Sequence, residues 1–177
     1  MEKFTMSSPA EMVQQFESTI QKLLEKLTAF SQEQLNTIPA EGRWSAAQLG
    51  EHLRKSYKGV PELLGHNTKI TERDPAEKIA MVNMDFLNFS IKMQAPEFIV
   101  PEQKTYDKTK LLQELDSLAK AIIQTAQSLD LTETCTTFAI PGYGEFTRLE
   151  WINFCLVHTQ RHLRQLEGIF QTVVNNP

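Results

Sequence analysis

The sequence predicts an all-α fold: a four-helix bundle with an additional short helix in the long connection between its second and third helices. Three observations predict it. Glycine is scarce, with 7 in 177 residues. Strand-like alternation of apolar and polar residues is almost absent. Four segments instead carry apolar residues at three- and four-residue steps, and each opens on a capping residue. The length points to one domain, residues 1–177, with enough chain for a full core.

The first helix is expected from about Pro9 to Phe30. Ser8 and Glu11 have capping-box spacing around Pro9, and Met12, Phe16, Ile20, Leu23 and Leu27 form one stripe. The second begins at Ser45, which with Gln48 repeats the box; Trp44 and Leu49 occupy staple positions. Its apolar face continues through Leu53, Val60 and Leu64, with an interruption expected near Gly59 because Pro61 removes a backbone donor. The third runs from about Lys108 to Leu129 behind Asp107 as cap, on Leu111, Leu115, Leu118 and Ile122. The fourth opens on Thr147 and Glu150, after the turn of Pro141, Gly142 and Gly144, and runs to about Val173. In the long stretch from Asn67 to Thr105, Asp74-Pro75-x-Glu77 reads as a helix start. Ile79, Val82, Phe86 and Phe89 would be its inner face, with Pro96 and Pro101 as breaks.

Composition narrows function. The net charge is −4 with no run of Lys or Arg, so nothing offers the phosphate-neutralising surface of a nucleic-acid binder. No window approaches the ~18 apolar residues of a membrane span, and Met1 to Ser8 has no apolar stretch like a signal peptide. Two cysteines, Cys135 and Cys155, make no disulfide framework, so a cytoplasmic protein with reduced thiols is expected. Neither a P-loop nor a Gly-x-Ser-x-Gly elbow is present.

The chemistry concentrates on the fourth helix. On a wheel of 100° per residue with His158 at zero, Trp151 falls at about +20°, Phe154 at about −40°, Cys155 at about +60°, His162 at about +40° and Gln165 at about −20°. Both histidines therefore lie within an apolar stripe. Buried imidazoles need partners for their ring nitrogens, and two at i and i+4 can share one metal ion. His52, three residues after Leu49, faces inward from the second helix and is the candidate third ligand, with Ser56 one turn on. Gln48 and Gln165 are candidate hydrogen-bond partners of the ligands. Ser56, Trp151, Phe154 and Cys155 are candidate pocket-lining residues. Taken alone, His52 reads more readily as a satisfied core histidine than as a ligand. His66 is expected at the surface, and Cys155 also reads as a small buried apolar residue. His158-Thr159-Gln160-Arg161-His162 lacks the glutamate of a zincin. No carboxylate is identified as a general base; Glu51 and Glu150 read as exposed or capping residues, and the catalytic residues stay unassigned.

Two segments resemble a known family. Trp44-Ser45-Ala46-Ala47-Gln48-Leu49-Gly50-Glu51-His52-Leu53 is similar to the W-S-x-x-x-x-x-x-H-L helix of the DinB/YfiT-like superfamily. Phe146-Thr147-Arg148-Leu149-Glu150-Trp151, leading to His158, His162, Leu163 and Gln165, is similar to its last helix with the H-x-x-x-H-x-x-Q ending. The likeness is nearest to the DinB-like and DUF1569-type branches. It implies a four-helix bundle holding one divalent metal ion, nickel or zinc, on His52, His158 and His162. It further implies kinship with metal-dependent thiol S-transferases and, more loosely, hydrolases.

The leading expectation is thus a metal-dependent enzyme that activates a thiol or water for attack on a small molecule, with a low-molecular-weight thiol as a candidate partner. The alternative is a non-catalytic, metal-stabilised bundle with a structural or interaction role. A fourth protein ligand would favour the bundle and an open coordination position the enzyme. The oligomeric state stays open between monomer and homodimer.

Overall fold

A computed structural model describes residues 8–175. Residues 1–7, which carry most of the Met1–Ser8 reading, lie outside the described residues. The four long helices are α1 (Pro9–Thr28), α3 (Ala46–Tyr57), α6 (Lys108–Ser128) and α7 (Arg148–Phe170). Between them lie α2 (Gln32–Asn36), α4 (Val60–Gly65) and α5 (Ile79–Phe86). A 3-10 turn spans Glu97–Ile99, and α7 ends in a π-helical turn, Gln171–Asn175.

The expected caps form. Ser8, Ser45 and Thr147 each accept from the N3 amide while the N3 side chain returns to the cap amide, and Asp107 accepts from Lys110 N. A box of the same kind, Ser31 with Gln34, opens α2, a helix that the periodicity alone does not separate from α1. Pro61 does interrupt the second helix: α3 stops at Tyr57, and α4 restarts with the proline in its first turn, where no donor is needed.

Packing sets the helix order. α1 lies against α6 and α7, and α3 lies against the same two, so α1 and α3 face each other across the bundle. The core is continuous from Phe16, Leu23 and Leu27 of α1 through Leu49 and Leu53 of α3 to Ile122 of α6 and Ile152 of α7. Gly50 permits the close approach of α3 to α6, since a Cβ there would stand 3.1 Å from Leu111 Cδ2.

The two long connections are tied together at one end. β1 (Thr68–Lys69) pairs antiparallel with β2 (Thr134–Cys135), Thr68 opposite Cys135 and Lys69 opposite Thr134. Buried Arg148 reinforces the junction, donating to the carbonyls of Leu64 and Asp130 and to the Glu133 carboxylate.

The middle stretch departs from expectation in two places. Asp74 caps no helix: its carboxylate accepts from Ala76 N in a tight turn, and α5 begins only at Ile79. Phe89 is not on an inner face. Asn88 accepts from both the amide and hydroxyl of Ser90, ending the helical path, and Phe89 sits 42% exposed. Ile79 and Val82 are buried as expected, and α5 packs on α7.

Candidate metal centre

Two helices of the core bring three histidines to one point. His52 projects from α3, and His158 and His162 project one turn apart from α7. Their ligand atoms all lie within 4.8 Å of one another, and no other group of three His, Cys, Asp or Glu of this kind occurs among the described residues. His158 Nε2 is 3.1 Å from His52 Nε2 and 2.9 Å from His162 Nε2.

The opposite ring nitrogens fix how these rings point. His52 Nδ1 is 3.0 Å from the carbonyl oxygen of Ile99, supplied by the 3-10 turn. His162 Nδ1 is 2.6 Å from Gln165 Oε1, one turn further along α7. Each of these nitrogens donates to an oxygen, so in the neutral ring Nε2 carries a bare lone pair. Phe154 stacks on the His158 ring at 5.4 Å between centroids, and Phe86 meets it edge-on at 5.9 Å.

All three rings are held neutral. Burial lowers the pKa of His52, opposed by its bond to Ile99. Burial pushes His162 down to about 3, helped by His52 and Arg161 and opposed by Gln165. His158 falls well below its ordinary value through burial, then through His162, His52 and Arg161.

This donor set fits a divalent cation. The lone pairs of His52 and His162 both face His158 Nε2, and a single proton there cannot serve both. Neighbouring ligand atoms around an ion with bonds of about 2.0–2.1 Å lie roughly 2.8–3.4 Å apart, for tetrahedral or octahedral arrangements. Both spacings to His158 Nε2 fall in that range, and all three ligand atoms lie within 4.8 Å of one another. Imidazole suits zinc and nickel alike.

The triad sits in the wall of an open cleft of about 2400 Å³. Ser56, Trp151, Phe154 and Gln165 line it as well. The Ser56 hydroxyl is bonded back to the His52 carbonyl within α3.

Three sequence expectations need correction. Gln48 does not reach the histidines: its Oε1 accepts from Ser45 N at 3.0 Å, so the capping box consumes it. Cys155 does not line the cleft. It lies on the flank of the α7 stripe turned toward Tyr57 and Thr159, away from Phe154 and Arg161, and burial pushes its thiol up to about 12. Glu51 is buried rather than exposed, gripped by Arg54 through both carboxylate oxygens. Glu150 does cap α7, and it also holds Arg73 through both oxygens.

Some neighbours carry little or no signal in the sequence. Trp44, which reads there as a staple residue, lies against His52 with ring centroids 5.0 Å apart. The Ile99 carbonyl carries no side-chain signal at all. Arg161, between the two histidines of α7, donates to the carbonyls of Phe86, Asn88 and Ile91 and so fastens the segment after α5 beside the triad.

Comparison with known proteins agrees with the helical-bundle fold. The model of the DinB superfamily matches residues 15–166. The chain is 26% identical over 149 residues to the protein YuaE of Bacillus subtilis strain 168, covering 84% of this chain and 90% of YuaE. Among solved structures it resembles YfiT from Bacillus subtilis, described as a probable metal-dependent hydrolase with an unusual four-helix bundle topology. The TM-score is 0.62 at 14% identity, covering 97% of this chain and 91% of YfiT, a likeness of fold. By the extent of the family match, which takes in the positions of all three histidines, the chain belongs to the DinB superfamily.

Proposed function

We propose that His52, His158 and His162 hold one divalent metal ion, nickel or zinc, and that the protein is a metal-dependent enzyme. The observation that carries this reading is the convergence of three neutral Nε2 atoms in the wall of an open cleft, with no fourth His, Cys, Asp or Glu joining them among the described residues. Three protein ligands leave a position for water or substrate, as catalytic sites do and closed structural sites do not. Cys155, whose thiol would suit a fourth ligand of a structural site, belongs to the core instead.

When bound, the ion lowers the pKa of a water or thiol and supplies a nucleophile near neutral pH. The chain's own residues do the rest. Ile99 and Gln165 hold the His52 and His162 rings with Nε2 inward. Phe154 and Phe86 fix His158 from its face and edge. All three ligands would be neutral imidazoles, so none would offset the charge of an ion held there.

The reaction is the attack of a low-molecular-weight thiol or of water on a small electrophilic molecule, transferase-like or hydrolase-like, in the cytoplasm. YfiT's description as a hydrolase supports the second form by analogy of fold only. The test compares metal-loaded protein with the His162→Ala variant across thiols, electrophiles and simple esters and amides. Metal-dependent turnover that the variant loses is expected. An absorption-edge spectrum showing only protein ligands around the metal, with no turnover on any substrate, would return the protein to the role of a metal-stabilised bundle.

A further inference from the structure

The cleft is charged against the trend of the whole chain. The protein carries a net charge of −4. Its cleft nevertheless draws cationic side chains from Arg43, Arg54, Lys55, Lys58, Arg161 and Arg164 against a single carboxylate, Glu62. Arg54 is answered by Glu51 and Glu114, and Lys55 by Glu102. The other four have no carboxylate within ion-pair distance among the described residues. Arg161 is only 7% exposed, and its hydrogen bonds go to carbonyl oxygens, which orient a guanidinium without neutralising it. Arg164 lies over the Phe89 ring, 4.4 Å from its centroid. Excess charge of one sign in a cleft with apolar walls concentrates ligands of the other sign.

The second observation is the composition of that wall. A ladder of rings runs inward from the rim: Phe98 to Phe138 at 6.3 Å, Phe138 to Trp151 at 6.1 Å, Trp151 to Phe154 at 5.7 Å and Phe154 to His158 at 5.4 Å. Its outer rungs are open, with Phe98 67% and Phe138 41% exposed. Trp151 Nε1 is, among the described residues, the one buried side-chain polar atom without a hydrogen-bond partner. Such an orphan is costly in a core, and it sits on the rung that joins Phe138 to Phe154.

We propose that the cleft takes a small organic anion, with its apolar body along the Phe98–Phe138–Trp151–Phe154 ladder and its acidic group answered by Arg43, Lys58, Arg161 and Arg164. The ladder ends on His158, so a molecule lying along it brings its inner end to the triad. The inference names the substrate class of the proposed metal site and rests on that reading for turnover. Binding of the anion rests on the cleft alone.

Two fluorescent dyes of like shape test it: anionic 8-anilinonaphthalene-1-sulfonate and its neutral counterpart N-phenyl-1-naphthylamine. Both are titrated into metal-loaded and chelator-treated protein, with bound metal quantified separately. The sulfonate should bind about tenfold or more tightly than the neutral dye at low ionic strength, and the gap should narrow with salt. The R43Q/K58Q/R164Q variant, altered only at exposed positions, should narrow that gap several-fold, the remainder being held by Arg161, while keeping its affinity for the neutral dye. Phe138→Ala should weaken both dyes. Equal binding of the two dyes, a gap undiminished by the triple substitution, or a gap that vanishes on chelation would overturn the proposal. A protein that takes up no metal yet prefers the anion would sink the metal-enzyme reading and leave this one standing.

Discussion

Gln165 Oε1 lies 2.6 Å from His162 Nδ1, one helical turn along α7, and this bond turns the imidazole so that Nε2 faces His158. Gln165 itself is exposed, so its side chain can be changed without opening the core. Replacing it by Leu should leave the fold intact and weaken metal affinity about 10–100-fold, the usual cost of losing a group that orients a ligand. Competition against a chelating dye measures it; unchanged affinity would mean that the bond plays no part in holding metal.

Removing a ligand should do more. His158 stands between the other two, within 3.1 Å of one and 2.9 Å of the other. The parent protein should carry about one ion per chain, and His158→Ala should retain almost none after dialysis. Elemental analysis of both proteins decides it. A variant that keeps its metal as tightly as the parent would place the ion elsewhere.

The same histidines make the metal-free bundle acid-sensitive. Their pKa values are lowered on folding, with His162 at about 3, so the folded state holds fewer protons than the unfolded chain once pH drops below about 6.5. Their contribution to stability is therefore full above about pH 6.5 and is lost progressively as pH falls toward 3. Thermal melts of chelator-treated protein should show a midpoint falling through that window. The H52A/H158A/H162A variant should show a shallower fall. Parallel slopes would assign the acid sensitivity to other groups.

Glu150 tests the frame around the site. It is fully buried, caps α7 at Thr147 N, accepts from Lys78 N and grips Arg73 with both oxygens. Glu150→Ala strands all of these donors. Arg73 remains about a quarter exposed and can rehydrate, which puts the loss at the lower end for a broken buried pair, about 3 kcal/mol. For a domain of this size that is a fall in Tm of roughly 6–12 °C. A shift under 2 °C, read by circular dichroism, would contradict the buried pairing.

The sequence alone determined the features that local periodicity sets. The capping boxes at Ser8, Ser45 and Thr147, the break at Pro61 and the apolar stripes of the long helices were all legible, because an N-cap and a 3.6-residue repeat are satisfied within one turn or one face. The inward direction of His52, His158 and His162 was legible for the same reason, as was the turn that sets Gln165 against His162. Gln48 misled because two uses shared one spacing, and the nearer partner, Ser45, took it. Only the tertiary structure decided that His52 meets His158, since 106 positions separate them and nothing local measures the packing of α3 on α7. It alone chose which flank of the α7 stripe opens to the cleft, sending Phe154 to the wall and Cys155 to the core. It alone supplied the Ile99 carbonyl to His52 Nδ1, because a backbone oxygen is the same in every residue and acquires a role only from where the chain carries it.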